Sequence, residues 1–233
     1  MYALLLAQNA DERAVLSLAL QRAGLAVTAG DDLERALRVW PERPSDLILL
    51  ALDGDVLDDI HLIRGETTVP LVVIARGVEE DLQCELLEAG ADLVVPRPFS
   101  ARLLISQIRA LSRRAGGIPL ANLPTMSTAD LTLDPATRTV HVSGQTSRRL
   151  THLEFRLLYT LMIHRGQVLS TESIVEHVWG YTGQGDKDLV RGLVRRLRTK
   201  VELEPSDPQF VLTVPGLGYA FSQGDDSLPS DDE

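Results

Sequence analysis

Six basic side chains gather between positions 187 and 200 of a chain that is acidic overall: Lys187, Arg191, Arg195, Arg196, Arg198 and Lys200. Asp186–Val201 reads as a helix at 100° per residue. Leu189, Val190, Leu193, Val194, Leu197 and Val201 then share one apolar arc. Lys187, Arg191, Arg195 and Arg198 form a narrow stripe on another face, with Arg196 off it. Such a stripe is often only a solvated face. Here five of the six cations follow the helix's last acid, Asp188. A single rod with this much positive charge suits the phosphates of duplex DNA, whose major groove admits one helix.

Other chemistry is weaker. The five histidines, at 61, 141, 152, 164 and 177, show no metal-ligand spacing with cysteine or acids. His61 is placed near the pocket of the first domain, where a structural role suits it best. No phosphate loop, nucleophile elbow or Rossmann glycine pattern occurs. No catalytic residue, metal site or cofactor is expected. The single cysteine, Cys84, excludes an internal disulfide and suits a reducing compartment. It is expected inside a helix as a quiet residue.

Net charge is −10 over 233 residues, yet its distribution is uneven. Residues 1–114 hold 12 basic and 18 acidic side chains, and 115–223 hold 11 and 10. The tail 224–233 has five acids and no base, and is expected to be disordered. No apolar run reaches membrane-span length, so a cytoplasmic protein with no membrane partner is expected.

The stripe needs elements to position it. Short buried strands are expected at Ala3–Ala7, Leu25–Ala29, Asp46–Leu52, Leu71–Ala75 and Leu93–Val95 (β1–β5). Helices are expected at 10–23, 31–40, 57–64, 79–89 and 100–114 (α1–α5), with Asn9 capping the first. The alternation predicts a doubly wound α/β domain with a parallel sheet, flavodoxin-like in class. Gly-Gly and two prolines mark a linker at 115–125. Residues 126–223 open with a small antiparallel sheet. Thr151 and Glu154 form a capping box before a helix reaching about 164. Ser170 opens a second helix, the basic helix follows, and Phe210–Phe221 reads as a hairpin around Pro215–Gly218. Three helices and a hairpin make a winged helix-turn-helix.

The segments SDLILL, VVIARGVEED, EAGAD and RPFS resemble the receiver domain of bacterial two-component response regulators. LTHLEFRLLYTL, VRRLRTKVE and FVLTVPGLGYAF resemble the OmpR/PhoB-type DNA-binding domain. The resemblance implies a recognition helix at 187–201 and a wing beside it. By it, Arg195, Arg196, Arg198 and Lys200 match the family's basic run, and Thr213 matches its wing threonine. In such receivers an aspartate accepts a phosphoryl group, an acidic pair holds Mg²⁺, and a hydroxyl and a lysine meet the phosphoryl oxygens. Those positions fall here on Ala51, on Ala7 and Gln8, on Ile74 and on Arg97. The bond before Pro98 is commonly cis in that family. Asp53 and Asp55 lie just beyond Ala51 as substitute acceptors, but lack metal ligands. Arg97 is expected to pair with a loop aspartate.

The resemblance further implies a homodimer through the α4–β5–α5 face, with Glu85, Glu88 and Asp92 opposite Arg109 and Arg113. The expected function is sequence-specific DNA binding by a phosphorylation-independent regulator, with double-stranded DNA, a second copy and RNA polymerase as partners. The alternative is an interaction or ligand-sensing protein with secondary DNA binding.

Overall fold

A computed structural model gives the fold and describes residues 1–54, 56–115, 123–128, 130–180 and 187–222, leaving aside the side chains of 113–115. Asp55, most of the linker and the acidic tail lie outside the described residues, as does the side chain of Arg113.

The first domain alternates β1 (Tyr2–Ala7), α1 (Ala10–Arg22), β2 (Ala26–Gly30), α2 (Leu33–Val39), β3 (Leu47–Ala51), α3 (Val56–Glu66), β4 (Leu71–Ala75), α4 (Glu80–Ala89), β5 (Leu93–Pro96) and α5 (Ala101–Ala115). The strands form one parallel sheet ordered β2-β1-β3-β4-β5. Strands β3 and β4 are buried along their whole length, as unbroken aliphatic runs require when helices cover both faces. The edge strand β2 alternates less clearly and is largely exposed. Asn9 caps α1 by accepting from the Glu12 amide at 2.9 Å. Helix α2 is shorter than expected because Asp32, not Asp31, is its N-cap. The Arg97–Pro98 bond is cis.

The second domain opens with β6 (Met126–Ser127), β7 (Leu131–Asp134), β8 (Thr139–Val142) and β9 (Arg148–Arg149), an antiparallel sheet in chain order. The two-residue strand β6 has too short a pattern to be read from sequence. Then come α6 (His152–Ile163), α7 (Thr171–Val178), α8 (Lys187–Val201), β10 (Val211–Val214) and β11 (Gly218–Phe221). Both sides of the Thr151–Glu154 capping box are formed. Strands β10 and β11 pair antiparallel, with Val214 opposite Gly218. Leu158, Leu161, Ile174, Val178, Leu193 and Leu197 are at most 1% exposed and close the helical core.

The two domains pack on each other chiefly through α4 and α8.

Candidate nucleic-acid interface

Helix α8 keeps its apolar arc inward: Leu189, Val190, Leu193, Val194, Leu197 and Val201 are all buried. At 100° per residue the opposite direction belongs to Asp188, Gly192, Arg195 and Thr199, flanked by Arg191. Lys187, Arg191 and Arg195 are exposed. Arg191 pairs with Asp188 at 3.0 Å, one turn away. Arg198 turns toward the wing, donating to the Val211 carbonyl at 2.6 Å and the Thr213 hydroxyl at 2.8 Å. It therefore holds helix and hairpin at a fixed angle, and it presents Thr213 beside the basic stripe.

Two cations of the run leave that surface. Lys200 donates to Glu154 at 2.6 Å. Arg196 is buried at 8% exposure. Their function within the fold was hidden from sequence because their partners are remote.

Glu154 is 2% exposed, yet its carboxyl is held below the ordinary glutamate range. Burial opposes ionisation, but Arg196, Lys200 and the Thr151 amide together outweigh it. A depressed folded pKa stabilises the fold fully above the unfolded value of 4.5 and less as pH falls through the folded value. Glu154→Gln should therefore cost about 3 kcal/mol near neutral pH, as for breaking a buried pair. Urea titrations at descending pH should show the difference from wild type shrinking in the acid range. A constant difference would refute this account.

Helix α4 is seated on the outward face of α8 at Gly192, and Arg191 and Arg195 beside it stay exposed. A Cβ on Gly192 would lie 2.9 Å from Leu87 Cβ. Glycine thus permits a backbone approach that any larger residue would oppose. One turn on, Arg195 pairs with Glu88.

Asp92 anchors the contact. It is wholly buried, which corrects the expectation of a surface dimer residue. One carboxylate oxygen accepts from Arg64 at 2.7 Å and the Leu71 amide at 2.9 Å. The other faces Arg196 at 3.3 Å, and the Asp92 carbonyl accepts from the Trp179 indole at 2.9 Å. Buried charge is tolerated only when paired and hydrogen-bonded in this way. Trp179, fully buried, so links α7 to the first domain. Its partner lies 87 positions away, beyond the reach of any local sequence pattern. Of the other residues expected on a dimer face, Glu85 is exposed and Arg109 donates to the Arg22 carbonyl at 2.5 Å.

At the carboxyl ends of the strands, Ala7 is in register with Ala51, and both are buried. Gln8 accepts from the Asp53 amide at 3.2 Å. Ile74 is buried in β4. Arg97 donates to both carboxylate oxygens of Glu12, at 2.7 and 2.8 Å, and to the Ala51 carbonyl at 3.3 Å. Asp53, the loop partner expected, is more distant at 3.7 Å. The main clamp is Glu12 because α1 aims its first turn at the same strand ends. His61 is not at this pocket; it lines a cleft between the domains. Among the described residues no three His, Cys, Asp or Glu side chains are grouped to hold a metal ion.

The Arg97 and Glu12 side chains are only 11% and 19% exposed. Arg97→Ala should cost about 3 kcal/mol, the lower end for a buried pair. Arg97→Lys should recover little, since an ammonium cannot make the two parallel bonds. Equal unfolding midpoints for wild type and both variants would refute the clamp.

A parallel α/β domain joined to a winged helix-turn-helix whose third helix is basic defines a class: the two-domain DNA-binding regulator. The family described as "Transcriptional regulatory protein, C terminal" matches residues 145–221. The KDP operon transcriptional regulatory protein KdpE of Escherichia coli (strain K12) is 33% identical over 217 residues, covering 91% of this chain and 96% of its own. The solved structure of a RitR mutant with serine in place of a cysteine superposes with a TM-score of 0.76 at 26% identity, covering 96% of this chain and 99% of that one. A RitR mutant with aspartate in place of the same cysteine gives 0.75 at 24% identity, over 96% of this chain and 100% of that one. This chain belongs to the OmpR/PhoB family of response regulators, and it is a DNA-binding transcriptional regulator, not an enzyme. Among the described residues no helix is long and apolar enough to cross a membrane.

Proposed function

We propose that this regulator works without phosphorylation, and that its receiver is a docking platform for two alternative occupants of α4. One occupant is its own α8, as in the arrangement described. The other is a second copy of the chain, which would form the α4–β5–α5 homodimer that binds paired DNA half-sites about one helical turn apart. The observation carrying this reading is the close seating of α4 on the outward face of α8 at Gly192. A helix face cannot lie against α4 and in a groove at once, so the closed form is DNA-incompetent. A second copy needs the same α4, so dimerisation and masking compete. Glu88 and Arg195 change partners between the two states. In the open dimer, Lys187, Arg191 and Arg195 meet the DNA, while Arg198 and Thr213 set the wing.

Independence from phosphorylation is supported at the strand ends. Alanine offers no nucleophile, and Ala7 with Gln8 offers no carboxylate to replace Mg²⁺ waters. Arg97, which would meet a phosphoryl oxygen, is already engaged by Glu12. Asp53 carries a 63% exposed side chain 3.7 Å from Arg97, and among the described residues no three acidic side chains are grouped to hold a metal ion beside it.

Selection of binding sites from random duplex DNA, followed by gel shifts with and without acetyl phosphate and Mg²⁺, tests the proposal. A repeated site bound equally in both conditions is the expected outcome. A site bound only with the phosphodonor would overturn phosphorylation independence. No enriched site in either condition would favour an interaction protein instead.

A further inference from the structure

We infer that the cleft between the two domains is a binding site for a small phosphorylated anion, and that its occupancy locks the closed form. The cavity measures about 560 Å³, within the range of small-molecule sites. Both domains line it. The first contributes Arg64 and Thr68, the second Arg149, Arg196, Thr199 and Lys200. Four lining cations face three lining acids, Glu66, Glu88 and Glu154. Two of those acids are already committed, Glu88 to Arg195 and Glu154 to Lys200. Glu66 is exposed at the rim.

Arg196 carries the argument. Its side chain is 9% exposed, and it reaches Asp92 only through Nη2, at 3.3 Å. Nε and Nη1 are buried without a hydrogen-bond partner among the described residues. A buried guanidinium with idle donors is costly, and a fork of N–H groups fits phosphoryl oxygens in paired bonds. Arg64 cannot serve alone, because its own donors are spent on Asp92 and on the Gly90 and Val69 carbonyls. It supplies field, not bonds. Arg149 is exposed at the mouth and can close on a ligand from the second domain. An anion held by Arg196 and Arg149 against the first domain's wall favours the closed form because the site exists only there. By reciprocity it weakens DNA binding by the factor with which DNA weakens it. That coupling rests on the masking described above; the site itself does not.

The test uses the full chain, with inorganic phosphate and AMP as probes at constant ionic strength set with chloride. Calorimetry should show saturable binding of phosphate, of AMP, or of both, at one site per chain. Tighter AMP binding would identify a larger phosphorylated molecule as occupant; equal binding would identify the free anion. Arg149→Gln should weaken binding about tenfold, and Arg196→Gln should abolish it. A gel shift on the selected DNA should need about tenfold more wild-type protein when phosphate or AMP saturates the site. No saturable binding of either probe, or binding unchanged in Arg149→Gln, overturns the site. Saturable binding with unaltered DNA affinity overturns the coupling and leaves the site standing.

Discussion

Gly192→Ala is expected to raise the apparent DNA affinity of the full chain by about 5- to 150-fold. The added Cβ would lie 2.9 Å from Leu87 Cβ, and Leu87 is itself fixed in the first domain's core at 1% exposure. Overpacking of this kind costs about 1–3 kcal/mol, which here falls on the closed form alone. The gain in helix propensity, about 1 kcal/mol, is shared by both forms. The variant should therefore be no less stable as a fold while binding more tightly. Glu88→Arg is the companion when read on a single half-site, where no dimer contact is needed, because it repels Arg195 from the receiver side and leaves α8 untouched. Gel shifts on one selected half-site measure both. Unchanged affinity in both variants would sink the masking account.

Asp92→Asn is expected to be the most damaging single substitution of a charged residue. The amide keeps the shape but removes the counter-charge from Arg64 and Arg196. Breaking a buried pair in this way costs about 3–5 kcal/mol. The loss should split between receiver stability and domain docking, since Arg64 belongs to α3 and Arg196 to α8. Trp179 reports the second part. Its indole bonds the Asp92 carbonyl, so separation of the domains should shift its emission to the red. Trp40→Phe makes Trp179 the single tryptophan for that reading. A urea midpoint within experimental error of wild type, with unshifted emission, would refute the role given to Asp92.

These two residues also show where sequence reading stops. The strands of the receiver were legible because LILLA and LVVIA are unbroken aliphatic runs, a pattern that only a sheet covered on both faces explains. The caps at Asn9, Thr151 and Ser170 were legible because both partners lie within one turn. Asp92 was not. Its polarity points to the surface, and the guanidinia that bury it lie 28 and 104 positions away. Gly192 has no side chain to reveal its role, which rests on Leu87 in the other domain. The basic stripe of α8 was visible as a period, but periodicity could not tell Arg195 on the outer face from Arg198, which the Val211 carbonyl and the Thr213 hydroxyl draw toward the wing.

Helix α8 lies against α4 of the same molecule, so the proposed mask is unimolecular, whereas the proposed dimer that displaces it is bimolecular. A tethered domain faces its partner at an effective concentration in the millimolar range, whatever the amount of protein in the cell. A second copy gains ground only as the protein accumulates. Promoter occupancy should then climb more steeply than linearly with the number of molecules. Under the proposed competition a threshold would need no chemical signal: the quantity measured would be the protein's own expression.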